Sequence, residues 1–311
     1  MIVDLHTHLW QSPDQLGPQI SAVLRRRWPG PWDQLNAGAQ AHRDAMEPVD
    51  VAVVLGFRSQ FLQADVPNET ISAYVAENPG HVIGFAGVDP MEDRSVEQVD
   101  EAVAAGLSGL TISPAAQDFH PSHSRAMRLY EKAAGLGLPV LIHQGSHFTP
   151  DMKLEYARPY LFDEVARAFP ALRLVIAHGG YPWLDETLVL IGKHEHVYTE
   201  LSDVVGRPWK LYNLLLEAHQ MEITDRLLFG SGFPYGTPQQ AIETLYSMNH
   251  LVQGTGLPSV PRQKIRAIVE RDALQCLGLT LPVAPNVAAA DRSSQTAATL
   301  RGGGVGEEIH A

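Results

Sequence analysis

The chain contains a single cysteine, Cys276. One thiol excludes an intrachain disulfide and a thiolate metal cluster, so any bound metal must be held by imidazole and carboxylate groups. Long apolar runs are also missing, and no stretch of the 311 residues could span a bilayer. The first residues form a strand-like run at once, with no basic segment leading into an apolar one. These features predict a soluble chain in a reducing compartment, expected to be the cytoplasm. Basic residues are scarce: 23 Lys and Arg stand against 35 Asp and Glu, for a formal charge of −12. That balance argues against nucleic acid or an anionic membrane as the main partner and leaves a small molecule. Assembly into a homo-oligomer is left open.

Short apolar runs rich in Val, Ile and Leu recur along the chain: Ile2 to His6, Val51 to Leu55, Val82 to Val88, Gly109 to Ile112, Pro139 to His143, Leu172 to His178, Val197 to Leu201 and Leu227 to Ser231. Each is followed by a stretch long enough for a helix, most with apolar residues at helical spacing, as in Met127, Tyr130 and Ala134. Eight strand–helix units predict a single α/β domain, a (β/α)8 TIM barrel over residues 1–281. Its strands read as continuous apolar runs because a parallel sheet is covered on both faces. A doubly wound open sheet is the alternative, but the Gly-rich turn expected after its first strand is absent. An amphipathic segment, Pro261 to Leu277, is expected to close the barrel bottom. From residue 282 the composition turns to Ala, Pro, Ser, Thr and Gly, which predicts a disordered tail over 282–311.

A barrel of this kind carries its site at the C-terminal strand ends. The first strand leads into His6 and His8, which lie two apart and so face one way, with Asp4 expected on the same face. The fifth strand ends in His143 and the sixth in His178. A lone strand-end histidine is as well explained by one satisfied hydrogen bond. Four converging on one face point to a divalent cation. Three neutral imidazoles and a water make a competent catalytic zinc site. His6, His8 and His143 are the ligands read from the sequence, one zinc ion is the expected cofactor, and His178 is the acid–base candidate.

The stretches Val3-Asp-Leu-His-Thr-His8, Val82-Ile-Gly-Phe-Ala-Gly-Val-Asp-Pro90, Gly137-Leu-Pro-Val-Leu-Ile-His143, Val175-Ile-Ala-His-Gly-Gly180 and Leu227-Leu-Phe-Gly-Ser-Gly-Phe-Pro234, taken in this order, resemble the amidohydrolase superfamily. The branch they match is the amidohydrolase-related one that includes aminocarboxymuconate-semialdehyde decarboxylase-like enzymes. The resemblance implies a barrel with a mononuclear divalent site, commonly zinc, and either hydrolysis or non-oxidative decarboxylation. It assigns metal binding to His6, His8 and His143 and a catalytic part to His178. The fourth strand ends Thr111-Ile112-Ser113, with no lysine to become a bridging ligand, which favours one metal over two.

The sequence departs from that pattern at the end of the eighth strand. The family usually has an aspartate there, within Gly-Ser-Asp-Phe-Pro, that binds metal and handles a proton; this chain has Gly232. Three readings follow. Asp203, or Glu200 beside it, is a substitute carboxylate; the metal and His178 act without a strand-eight base; or the chain binds a metal or metabolite without turnover. The main expectation is a metal-dependent hydrolase of a small carboxylate, lactone or amide, with a decarboxylase and a non-catalytic binder as alternatives.

Weaker site candidates flank the strand ends. Arg58 is a candidate clamp for a substrate carboxylate. His147, with His120, is a candidate for the pocket rim, and Phe233, with Tyr181, Trp183 and Tyr235, for an aromatic wall. The long stretch from Gln11 to Pro48, just after Trp10 and with Trp28, Pro29, Pro31 and Trp32, is expected to form a loop or short cap followed by a helix that shapes the pocket. The basic run Arg25, Arg26 and Arg27 within it reads as a solvated helix face.

Overall fold

The eight apolar runs form eight parallel strands in a computed structural model that describes residues 1–27, 35–144 and 148–281. They are β1 (Val3–His8), β2 (Val51–Leu55), β3 (Val82–Gly87), β4 (Gly109–Ile112), β5 (Val140–Ile142), β6 (Leu174–Ile176), β7 (Val197–Glu200) and β8 (Leu227–Leu228). Each pairs with the next in sequence order. Backbone bonds from Leu5 to Phe229 (3.0 Å), Gly232 to His6 (2.9 Å) and His8 to Phe233 (3.0 Å) bring β1 against the β8 end, so the sheet wraps into a nearly closed barrel. The predicted TIM barrel is the fold observed. The tail over 282–311 lies outside the described residues.

Two apolar clusters hold the barrel. The inner one collects Val3, Leu5, Val51, Val53, Leu55, Ile83, Phe85, Leu141 and Val175 from alternate strand positions. The outer one packs the opposite strand faces against helices such as Asn68–Glu77, Ser124–Leu136 and Leu184–Lys193. The segment expected to close the barrel divides its work between two helices. Arg262–Val269 buries Ile265, Ile268 and Val269 in the outer layer, while Ala273–Leu277 adds Ala273, Leu274 and Leu277 to the inner cluster.

Strand β1 is not a simple alternation. Asp4 pairs with Ala52 and Thr7 with Val54, so β1 spends one residue more than β2 over this interval. The bulge lets Leu5 enter the inner cluster while His6 next to it also turns inward to the other strand-end histidines. Asp4 is therefore out of phase with His6 and His8 and does not share their face as expected. Its Oδ1 accepts the backbone N–H groups of His6 (3.1 Å) and Ser231 (2.9 Å).

The stretch after β1 forms a 3-10 turn at Pro13–Leu16 and helices at Pro18–Arg27 and Ala39–Ala45; Trp28, Pro29, Pro31 and Trp32 lie outside the described residues. Arg25 and Arg26 are exposed, and Arg25 pairs with Asp14 at 3.0 Å. A short antiparallel hairpin, Phe57–Ser59 with Ala64–Val66, follows β2 and has no counterpart in the sequence reading.

His42, on the helix Ala39–Ala45, is fully buried and joins that helix to the barrel. Its Nε2 meets Thr7 Oγ1 at 2.9 Å and its Nδ1 meets Tyr74 Oη at 3.0 Å. Burial, with Arg43 adding to it, pushes His42 down to about 4. The unfolded chain therefore binds more protons than the folded one between the ordinary imidazole value and about 4, and stability falls as pH falls through that window. The contribution is roughly 3 kcal/mol. Urea unfolding at pH 7 and pH 4 is expected to show a stability loss that shrinks by about that amount in His42→Gln; an unchanged pH slope in the variant would remove His42 from this role.

Candidate active site

Four imidazoles meet at the C-terminal strand ends. His6 and His8 come from β1, His143 follows β5 and His178 follows β6. The ring centroids of His6 lie 4.9 Å from His8, 5.0 Å from His143 and 4.6 Å from His178. One ring nitrogen each of His6, His143 and His178 falls within 4.8 Å of the others, and His8 Nε2 lies 3.1 Å from His6 Nε2. That last separation is close to the roughly 3.3 Å between two nitrogens on a tetrahedral zinc ion. Burial, reinforced by the charges of His6 and His178, holds His8 well below the ordinary imidazole value, so it is neutral at pH 7 and offers a lone pair. A converging, buried set of nitrogen donors fits a divalent ion of intermediate softness.

Glu200, at the end of β7, is completely buried and organises the group. Its Oε1 accepts from His6 Nδ1 (2.9 Å), the His178 backbone N–H (2.7 Å) and Ser202 Oγ (2.9 Å), while Oε2 accepts the Ser202 N–H (2.7 Å). Burial alone would raise this carboxyl, but the charge and hydrogen bond of His6, with those of His178, outweigh it and hold it below the ordinary range. The Ser202 hydroxyl hydrogen is committed to Glu200, so His178 Nδ1, 2.8 Å from Ser202 Oγ, is the donor in that contact. One carboxylate thus fixes Nδ1 as the donor on both His6 and His178.

The backbone around this carboxylate is shaped to admit it. A Cβ on Gly230 would lie 2.3 Å from Glu200 Oε2. His178 has φ 58°, a left-handed conformation that is costly for a side-chain-bearing residue and aims its N–H at Glu200. Beneath them Asp4 is raised by burial, against hydrogen bonds from Ser231 and His6, to about 6, and its Oδ2 is buried without a partner.

Of the two carboxylates named from the sequence, Glu200 rather than Asp203 sits among the imidazoles. Asp203 stands on the wall of the adjoining cavity, with Oδ2 3.3 Å from Arg207 Nε. Gly232 also borders the cavity, at φ 75°; a Cβ there would lie 3.3 Å from Ser202 Cβ. The cavity has a volume of about 240 Å³ and opens to solvent. His6, His8, His143 and His178 line it, and Trp10, Leu16 and Ile20 show that the stretch after β1 shapes it as expected.

Two of the residues expected to contact substrate do not line the cavity. Arg58 lies outside the cavity lining, on the hairpin after β2, with Nε 3.2 Å from Glu92 and 3.7 Å from Asp65; neighbouring carboxylates already occupy the guanidinium. Phe233 is buried, its ring 5.4 Å from His42, because the chain turns it toward the outer core. Tyr235, two residues on, reaches the cavity instead. Tyr181 lies under the Arg207 guanidinium and Trp183 beside Phe148; neither lines the cavity. His120 holds Ser122 and packs on Tyr156, and His147 is outside the described residues. Ser202 was missed by the sequence reading, and its position two residues after Glu200 was the available signal.

The chain matches the amidohydrolase family over residues 3–279. No curated protein matches its sequence. Among solved structures it is similar to an uncharacterized TIM-barrel protein from Bordetella bronchiseptica (19% identity, 89% of this chain and 98% of that one, TM-score 0.68). It is also similar to a 5-carboxyvanillate decarboxylase from Novosphingobium aromaticivorans complexed with manganese (13% identity, 90% and 96%, TM-score 0.63) and to an amidohydrolase from Burkholderia multivorans with bound zinc (15% identity, 90% and 100%, TM-score 0.60). At these identities the structures establish the shared barrel, and the match along nearly the whole described chain establishes the lineage: this protein belongs to the amidohydrolase family.

Proposed function

We propose that the protein is a metal-dependent hydrolase acting on a small organic ester, lactone or amide. The observation that carries this reading is the convergence of four imidazoles on a cavity floor, two of them with tautomers set by one buried carboxylate. His6, His8 and His143 are the proposed ligands and zinc the proposed ion, because the donors are all imidazole nitrogens. A bound divalent ion supplies Lewis acidity and lowers the pKa of water to about 7. His178, through Nε2, takes the proton that attack by water releases and returns it to the leaving oxygen or nitrogen. Ser202 and Glu200 hold that imidazole in the required tautomer.

A cytoplasmic location is proposed on the same footing. The half-buried Cys276, with no second cysteine in the chain, supports a reducing compartment, and no helix among the described residues is long and apolar enough to cross a membrane. Non-oxidative decarboxylation is the second reading. It is favoured by Gly232, which leaves the strand-eight end without a base; here His178 would place a proton on the carbon that loses carbon dioxide.

Three outcomes test the hydrolase reading. His143→Ala should lower bound metal, measured by elemental analysis after dialysis, and reduce turnover of a lactone and ester panel on the order of 100-fold; full activity without metal would sink the proposal. Gly230→Ala and Glu200→Gln should each weaken metal affinity about 10- to 100-fold in a chelator competition, with the far-ultraviolet circular dichroism unchanged. If both variants hold metal as tightly as the parent, Glu200 has no part in orienting the ligands. Gly232→Asp should lose about 1–3 kcal/mol of stability, because the left-handed backbone and the Ser202 contact strain any side chain there. Its kcat/KM should not rise, and a large gain would instead mark a site that lacks only this carboxylate.

A further inference from the structure

The cavity above the imidazoles differs sharply between floor and walls. Its floor is polar. Its walls carry Trp10, Leu16, Ile20, Phe57, Met152 and Val205, and no Lys or Arg lines it among the described residues. Two of the polar wall groups serve the fold: Ser113 Oγ donates to the His143 carbonyl at 2.7 Å, and Thr237 Oγ1 accepts the Gln240 N–H that starts the helix Pro238–Ser247. Asp203 is the one carboxylate on the walls among the described residues. Cations on the neighbouring elements are turned to other work or lie outside the lining. Arg207 pairs with Asp203 and stacks 4.4 Å over Tyr181, Arg58 faces Glu92 and Asp65, Lys153 pairs with Asp118 at 2.8 Å, and Arg26 lies in a separate depression beyond Phe148 and Met152.

This arrangement decides what body a ligand can have. An anionic group placed against the walls would lose water, meet no cation among the described lining residues and face the Asp203 carboxylate. An apolar body would replace water with carbon contacts on several sides. Resting on the hydrolase reading, we propose that the substrate is an electrically neutral lactone or ester with an apolar body and no carboxylate beyond the acyl group that reacts. Water adds across the acyl carbon–oxygen bond, giving an alcohol and a carboxylic acid that ionises and releases its proton to solvent. The product then carries a charge that no wall cation among the described residues balances, which favours its release to solvent. Substrate entry and product exit are separated by a change of charge rather than of size.

The test uses ligands that cannot be hydrolysed. Binding of 1-tetralone and of a ring-carboxylated 1-tetralone to zinc-loaded protein is measured by calorimetry. The neutral ketone should bind at least about 10-fold more tightly. Asp203→Asn should narrow the gap, and Gln240→Arg, which adds a cation to the wall, should narrow or reverse it. Equal or tighter binding of the carboxylated ketone to the parent protein, or no saturable binding of the neutral one, overturns the inference. Turnover of dihydrocoumarin is followed separately. If the binding preference holds while dihydrocoumarin and simple aryl esters are not turned over, the ligand class stands and the hydrolase reading falls.

Discussion

A single buried carboxylate underlies the organisation of this site. Glu200 has no exposure to solvent, yet it receives hydrogen bonds from His6, His178 and Ser202. A buried anion with four donors is stabilised by them; one with fewer would be expelled or protonated. The surroundings are built to this demand. Gly230 leaves the space that Oε2 fills, Ser202 supplies both a backbone and a side-chain donor, and His178 holds a left-handed backbone that turns its N–H inward. In return the carboxylate fixes which nitrogen of His6 and His178 carries the proton. The family's usual strand-eight aspartate is absent here. The chain instead keeps a buried carboxylate at the end of β7, hydrogen-bonded to His6 and to the His178 backbone.

The same neighbourhood collects local conformations that stability alone would not select. Asp4 is raised to about 6 by burial and leaves one oxygen without a partner. The bulge in β1 breaks the strand's alternation to send two adjacent residues inward. Such features are costly for a barrel whose two apolar clusters are otherwise continuous, and a functional site is where such costs concentrate. His42 does the opposite kind of work. It ties the helix after β1 to Thr7 and Tyr74 and steadies the strand that carries two of the four imidazoles.

Chemistry and selectivity are divided between floor and walls. The floor gathers four imidazoles, a set that suits the proposed hydrolysis and decarboxylation alike. The walls separate the two readings through charge: a decarboxylase must accept a carboxylate, whereas a cavity with apolar walls and one acid among the described residues favours a neutral ester or lactone.

Much of this was legible in the sequence because it depends on local rules. A parallel strand covered on both faces must be apolar throughout, so the eight runs marked the barrel. A barrel's site lies at its strand ends, so His6, His8, His143 and His178 stood out as candidates, and the structure brings their rings together. Gly232 was visible as a departure in the same way. What only the tertiary structure decided are the relations between residues far apart in the chain. The sequence could name Asp203 and Glu200 as neighbours of the site, but choosing between them required the position of His6, 194 residues from Glu200. Arg58 read as a substrate clamp until the hairpin after β2 placed it beside Glu92 and Asp65. Phe233 read as pocket wall until the closing contacts between the β8 end and β1 turned it toward His42. Composition and periodicity determine which face of an element is buried; the partner a polar side chain finds there depends on three-dimensional packing.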